Sequence, residues 1–92
     1  MERGIYMAWV YILYSQKLDR YYVGSTNDFE RRFQEHNHGI TPSTAPGTPW
    51  ECVLKQKFDS LQQARKIEYH IKRWKSRVLI ERLIQDGFIK IG

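Results

Sequence analysis

The chain has 92 residues, 41% of them hydrophobic, a size that supports one domain with a modest core and excludes a two-domain enzyme. Its single cysteine, Cys52, excludes an internal disulfide and a cysteine-ligated zinc as stabilising elements. The net charge is +5, and residues 55–82 alone carry nine basic and three acidic side chains, which predicts either a basic surface for a polyanionic partner or a solvated helix face.

The first predicted element is a β-hairpin. The run from Trp9 to Ser15 is β-branched and aromatic, a polar turn follows it, and Tyr21 to Gly24 form the second predicted strand. Because the first strand is almost continuously apolar, we expect it to be buried on both faces and central in a small sheet.

A helix is predicted over residues 28–38. The run Ser25-Thr26-Asn27-Asp28 offers several candidate caps, and Asn27 has the spacing of a capping box to the glutamate three positions later. On a helical wheel, Arg32 and His36 fall on the same side as two phenylalanines. Packing alone does not require these two polar side chains, so both are candidate functional residues. An ion pair between Arg32 and Asp28, and a histidine packed at the edge of the core, are the structural alternatives.

Residues 39–49 contain all three prolines and are predicted to form a loop. Residues 50–58 form a third strand, whose latter part alternates apolar and polar residues as an outer strand does. A last helix is predicted over residues 77–85, capped by Ser76 and ended by Gly87. The short apolar tail behind it is expected to pack back on the core.

The helix between the third strand and the last helix is predicted to begin after Ser60 and to continue to about Lys75, with apolar residues every three or four positions. Glu68 falls within the apolar arc of this otherwise basic helix. A buried carboxylate is costly unless it is paired or binds a cation, so Glu68 is a candidate ligand for Mg²⁺ or Mn²⁺. An ion pair with Lys72, four residues later, is the alternative.

The chain contains two short motifs, Trp9-Val10-Tyr11 and Tyr22-Val23-Gly24, whose tyrosines Tyr11 and Tyr22 are eleven residues apart. Arg32 and Glu68 follow on later helices. In order and spacing these motifs resemble the GIY-YIG nuclease superfamily, in particular small stand-alone bacterial members related to the N-terminal nuclease domain of the excision-repair endonuclease. The resemblance covers about residues 8–84, which is nearly the whole chain.

The resemblance implies a nuclease-like domain over residues 8–86, preceded by an N-terminal extension of residues 1–7 and followed by a tail of residues 87–92. The extension contains Gly4-Ile5-Tyr6, which spells the family name. We interpret this match as a coincidence, because it lies outside the continuous strand pattern and sixteen residues separate its tyrosine from Tyr22.

The implied fold is α/β (α+β), a small three-stranded antiparallel sheet flanked by helices in the order β-β-α-β-α-α, with the site on one face of the sheet. By resemblance, Glu68 would hold one divalent ion, Mg²⁺ or Mn²⁺, and Tyr11 would act as the general base or help to position it, with Tyr22 nearby. Tyrosine has a reference pKa near 10, so this role depends on bound metal.

The resemblance also implies roles for three further residues. Arg32 would stabilise charge on the phosphate in the transition state. His36 would orient or protonate a reacting group. Gly24 would let the backbone and the phosphate approach closely, where a side chain would block them.

In related small members the loop equivalent to residues 39–49 usually carries lysines or arginines, and this loop has none. DNA contact is therefore expected from basic residues of the last two helices: Lys66, Lys72, Arg73, Lys75 and Arg77. Phosphate contacts position a protein without specifying a sequence, so little sequence preference is expected.

We therefore predict a metal-dependent DNA endonuclease that acts on branched, nicked or damaged DNA, in repair or recombination. The alternatives are a non-catalytic nucleic-acid-binding module on the same scaffold and a protein-interaction domain that uses its basic face. No apolar run approaches the roughly 20 residues of a membrane span, and the N-terminus lacks the zones of a secretory signal, so we expect no membrane partner and a cytoplasmic location.

Overall fold

A computed structural model describes residues 7–90 and contains one antiparallel sheet and three α-helices. The elements, in chain order, are β1 (Ala8–Ser15), β2 (Arg20–Thr26), α1 (Phe29–Asn37), a short 3-10 helix (Ala45–Gly47), β3 (Trp50–Phe58), α2 (Leu61–Trp74) and α3 (Arg77–Asp86). The predicted α+β fold and the order β-β-α-β-α-α are confirmed. The match Gly4-Ile5-Tyr6 lies outside the described residues.

The sheet has the strand order β2-β1-β3, so β1 is central, as its apolar sequence predicts. The hairpin register pairs Tyr11 with Gly24 and Leu13 with Tyr22. On the other side β1 pairs with β3, where the register shifts between Ile12 and Leu13. The two tyrosine-containing motifs therefore lie side by side, one on the central strand β1 and one on the edge strand β2.

The two faces of the sheet carry separate apolar clusters, because side chains alternate along each strand. One cluster includes Tyr11 and Leu13 and is covered by α1 through Phe29. The other includes Val10 and Ile12 and is covered by α2 and α3. The helices that carry the candidate site residues thus pack on opposite faces of one sheet.

Capping side chains fix where the helices begin. Ser60 and Ser76 accept hydrogen bonds from the third backbone N–H of α2 and α3, as predicted. Among the candidate caps of α1, Asp28, rather than the capping-box residue Asn27, accepts from the N–H of Arg31. The hydroxyl of Thr26 accepts from the N–H of Asp28, which fixes the start one residue later than predicted.

The proline-containing loop is held firmly against the sheet. Ser15 Oγ donates to the Gly47 carbonyl at 2.6 Å, and Trp50 Nε1 donates to the Thr44 carbonyl at 2.8 Å. The apolar tail also packs back as predicted, since Ile89 is buried and its N–H donates to Gln56 Oε1 at 2.7 Å.

Candidate active site

Tyr11 and Gly24 form the centre of the candidate site, directly opposite each other on β1 and β2. The Tyr11 ring lies over Gly24, and a Cβ added to Gly24 would be 2.6 Å from Tyr11 Cζ. The three atoms that such a Cβ would meet first all belong to Tyr11. The structure therefore gives a different reason for this glycine from the expected approach of phosphate, because it makes room for the tyrosine ring.

A chain of buried hydrogen bonds runs inward from Tyr11. Its hydroxyl is 3.0 Å from His36 Nε2, and His36 Nδ1 is 2.8 Å from Thr44 Oγ1. Thr44 Oγ1 in turn donates to the Thr41 carbonyl at 3.3 Å. Since that carbonyl only accepts, the consistent assignment has Nδ1–H donating to Thr44 and Tyr11 donating to Nε2. His36 is thus a neutral imidazole whose free lone pair faces Tyr11.

Burial sets the charge states of this pair. It raises the pKa of Tyr11 well above the usual value for tyrosine; the nearby Tyr22 raises it further and Arg32 opposes the increase. Burial, followed by the Arg32 guanidinium, lowers the pKa of His36. At neutral pH Tyr11 is therefore a phenol and His36 a neutral base.

Tyr22 lies beside the same group and is only partly buried. Its ring centroid is 4.9 Å from that of His36 and 6.4 Å from that of Tyr11. Lys72 Nζ, from α2, lies 5.6 Å from the centroid of the Tyr22 ring. Because Tyr22 belongs to the face covered by α1, this contact shows that α2 reaches around the edge strand β2.

Arg32 is partly buried and makes an ion pair with Glu35 at 2.7 Å, not with Asp28 as the structural alternative supposed. This pair raises the pKa of Arg32. The guanidinium is also close enough to Tyr11 to lower that hydroxyl's pKa. One charged fork therefore faces both its own helix and the tyrosine.

Glu68 lies on α2 at the rim of the sheet rather than deep in the core, with its side chain 21% exposed. Ser25 donates a hydrogen bond from its hydroxyl to Glu68 Oε1. Lys72 Nζ is 2.6 Å from Glu68 Oε2, so the alternative ion pair is present. Glu68 thus reaches the site from the opposite layer, across the edge strand, whereas the resemblance implied a site on one face.

The donors around Glu68 fit one hard divalent ion that keeps several water ligands. Within residues 7–90 no group of three or more His, Cys, Asp or Glu side chains could hold a metal. Mg²⁺ is commonly bound by one or two carboxylates together with water and substrate phosphates, so a single carboxylate suffices. Lys72 is 48% exposed and occupies one carboxylate oxygen, which an incoming ion would have to take from it.

The five predicted DNA-contacting residues are exposed but differ in their surroundings. Arg73 Cζ lies 5.7 Å from the centroid of the Tyr69 ring, and Lys75 ends α2 in a left-handed conformation. Arg77 donates to the carboxylate and the carbonyl of Asp19 and to Glu81. Its guanidinium therefore links the start of α3 to the hairpin turn between β1 and β2. Lys66 lines a groove beside Tyr69.

Sequence reasoning missed two residues that hold the site together, Ser25 and Thr44. Ser25 directly follows Gly24, and a hydroxyl next to the strand end was the only signal. Thr44 lies in a loop without periodicity, and nothing in the sequence connects it to His36, eight residues earlier. Both contacts depend on tertiary structure.

The chain is similar to known proteins in sequence and in fold. A family model described as the GIY-YIG catalytic domain matches residues 7–81. A UPF0213 protein from Natronomonas pharaonis is 39% identical over 79 residues, which cover 85% of this chain and 91% of that one. A UPF0213 protein from Clostridium perfringens is 35% identical over 68 residues, covering 73% and 72% of the two chains.

The solution NMR structure of a UPF0213 protein from Bacillus halodurans is similar in fold, with a TM-score of 0.56 and 31% sequence identity. The match covers 86% of this chain and 83% of that one. Among the helices of residues 7–90, none is long and apolar enough to cross a membrane.

Proposed function

Because the chain belongs to the GIY-YIG family, a family of nucleases, we propose that it is a divalent-metal-dependent DNA endonuclease with little sequence preference. The observation that carries the proposal is the meeting, at one edge strand, of the Tyr11–His36 pair, Arg32 and Glu68. These groups supply a proton acceptor, a phosphate-binding cation and a metal-binding carboxylate.

Water activation is assigned to Tyr11 and His36 together. The attacking water gives a proton to Tyr11 Oη while Tyr11 gives its own proton to His36 Nε2, so Tyr11 never has to exist as a free phenolate. The hydrogen bond of 3.0 Å places the two groups for this transfer, and the lowered pKa of His36 keeps its imidazole neutral and able to accept the proton. The new P–O bond forms as the bond to the leaving oxygen breaks, and that oxygen takes a proton from solvent.

Arg32 is assigned to the phosphate. Its planar guanidinium binds phosphate oxygens well and lies beside the hydroxyl that activates water. Before substrate arrives, Glu35 holds the Arg32 guanidinium at 2.7 Å and keeps it oriented. A bound phosphate would compete with Glu35 for the same guanidinium. Stabilising charge that develops only in the transition state raises turnover.

Glu68 is assigned to the metal, with Ser25 holding its orientation. Mg²⁺ or Mn²⁺, when bound there, would neutralise phosphate charge and polarise the bond to be broken. Lys72 neutralises the carboxylate in the absence of the ion and lies next to Tyr22.

The proposed substrate class is branched, nicked or damaged DNA in the cytoplasm, in repair or recombination. The exposed lysines and arginines of α2 support DNA binding with little sequence preference, because phosphate contacts provide affinity without sequence readout.

The direct test is cleavage of plasmid and branched DNA by the purified protein with Mg²⁺, Mn²⁺ or EDTA. We expect metal-dependent cleavage and a loss of about 10²-fold or more in Glu68→Gln and Arg32→Gln, as for other electrostatic catalytic groups. Glu81→Gln is the matched control, since Glu81 also pairs with a basic residue four positions away but lies on α3. Cleavage that survives EDTA or Glu68→Gln would refute the metal assignment.

A second candidate, a nucleic-acid-binding module without catalysis, is favoured by one observation. Lys72 already satisfies Glu68 at 2.6 Å, as an ion pair of purely structural value would. DNA binding without cleavage in any of the metal conditions would select this alternative. Relief of the competition in Lys72→Gln, seen as cleavage at lower metal concentration, would select the nuclease.

A further inference from the structure

Two neighbouring hollows lie between Arg32 and Tyr69, beside the first half of α2. The first part, of about 300 Å³, is lined by Ser25, Thr26, Asn27, Arg31, Arg32, Leu61 and Arg65. The second part, of about 370 Å³, is lined by Leu61, Gln62, Arg65, Lys66 and Tyr69. Leu61 and Arg65 line both parts, so the two hollows are adjacent, and we call them together the α2 groove.

The lining of the α2 groove is strongly basic. Three arginines and one lysine border it, and among residues 7–90 no acidic residue lines it. Glu68 accepts a hydrogen bond from the lining residue Ser25, and Asp28 and Glu35 pair with Arg31 and Arg32 on α1. This charge distribution suits a chain of phosphates that leads away from the candidate site.

Tyr69 adds an aromatic surface to the far part of the groove. Tyr69 is 64% exposed, so its ring is accessible from the groove. Arg73 Cζ lies 5.7 Å from its ring centroid, in the range of a cation–π contact that helps to hold the ring. An exposed, supported aromatic ring between basic residues is the combination that binds unpaired bases by stacking.

We propose that the α2 groove binds an unpaired nucleic-acid strand continuous with the scissile phosphate, with a phosphate near Arg65 and a base stacked on Tyr69. The proposal rests on the proposed nuclease function and defines its substrate class. The faces of bases within a duplex are covered by their neighbours, so only an unpaired base reaches a tyrosine ring. The preferred substrate is therefore DNA with a single-stranded flap or frayed branch at the cleavage point.

Binding is measured first, with the metal-free full chain and a fluorescently labelled twelve-residue oligothymidylate, by anisotropy in EDTA. We expect Tyr69→Ala to weaken binding about tenfold, because one base–aromatic stack is lost, and Tyr69→Phe to bind as the wild type does. Arg65→Gln is expected to reduce the slope of log K against log salt by about 0.7.

The matched controls are Phe88→Ala, an exposed aromatic residue of the tail, and Arg82→Gln, an exposed arginine of α3. Both should bind the oligonucleotide like the wild type. Equal binding by Tyr69→Ala and wild type overturns the proposal. So does displacement of the oligonucleotide by polyglutamate at equal charge concentration, since this shows a surface selective for charge alone, as an acidic protein partner would use.

Cleavage separates this proposal from the proposed function. If the wild-type protein binds the oligonucleotide through Tyr69 but cleaves no DNA, the groove proposal is supported and the proposed nuclease function is refuted. Wild type that cuts flap and fully paired DNA equally, with no change in Arg65→Gln or Tyr69→Ala, keeps the nuclease and overturns the groove. A preference for flap DNA that falls about tenfold in Tyr69→Ala supports both.

Discussion

Gly24→Ala tests whether the site is built around the ring of Tyr11. The added Cβ would lie 2.6 Å from Tyr11 Cζ and 3.0 Å from Cε1, with the hydroxyl oxygen also in contact. Carbon atoms in contact prefer about 3.5–4.0 Å, so the ring must move by about 1 Å. It has little room, because Phe29 packs edge-on at 5.5 Å and His36 holds its hydroxyl.

The expected cost is that of overpacking, about 1–3 kcal/mol of unfolding free energy. For a domain of this size each kcal/mol lowers Tm by about 4–8 °C, which is measurable by circular dichroism. Cleavage should fall by about 10²-fold, since a displacement near 1 Å disrupts the alignment of reacting groups.

Two comparisons isolate the cause. Gly87→Ala introduces a side chain at φ +82° with nothing within 4 Å, so it should cost about 1–2 kcal/mol and leave cleavage normal. In a Tyr11→Leu background the three contacted atoms are gone, and Gly24→Ala should add little further loss of stability. Wild-type Tm and activity in Gly24→Ala, or an equal cost in both backgrounds, would refute the reasoning.

Three further predictions follow from the described contacts. The pKa of His36 is lowered in the folded state, so below about pH 6.5 the unfolded chain binds more protons than the folded chain. The contribution of His36 to the free energy of unfolding should therefore be complete above about pH 6.5 and decline below it. Urea titrations across pH should show this decline weakened in His36→Gln and kept in the exposed His70→Gln. Thr44→Val leaves His36 Nδ1–H without its acceptor and should cost about 1–3 kcal/mol in urea unfolding, whereas Thr44→Ser should retain most of the stability; equal losses would contradict the hydrogen-bond assignment. Arg77→Gln should lower Tm, because the hairpin turn loses its contacts with Arg77, but it should leave the salt dependence of DNA binding unchanged. Lys66→Gln should reduce the slope of log K against log salt. A reduced slope in Arg77→Gln would support the DNA contact predicted for it from the sequence.

The fold was predictable because its elements have long, regular patterns. The apolar run of β1, the caps Ser60 and Ser76, and the periodicity of α2 are local signals, and each is confirmed. The cap of α1 stayed open among four consecutive polar residues, since the choice of Asp28 depends on the Thr26 hydroxyl.

The candidate site was predictable only in its list of residues. Their motifs and wheel positions drew attention to Tyr11, Tyr22, Arg32, His36 and Glu68. How they meet depends on contacts between distant parts of the chain: Ser25 and Glu68 are 43 residues apart, and Arg77 and Asp19 are 58 apart. No local pattern encodes such pairs, so the opposite placement of α1 and α2, and the structural use of Arg77, required the three-dimensional structure.

The placement of the site at an edge strand between two layers has a consequence for biosynthesis. Tyr11, Tyr22 and His36 leave the ribosome well before Glu68, which follows in α2. A nascent chain or a proteolytic fragment that ends before Leu61 therefore contains the aromatic half of the site without its carboxylate. Under the proposed function such a fragment would not cleave DNA until α2 docks, and a chain cut at Asp59 would be the starting point for reconstituting the candidate site from two pieces.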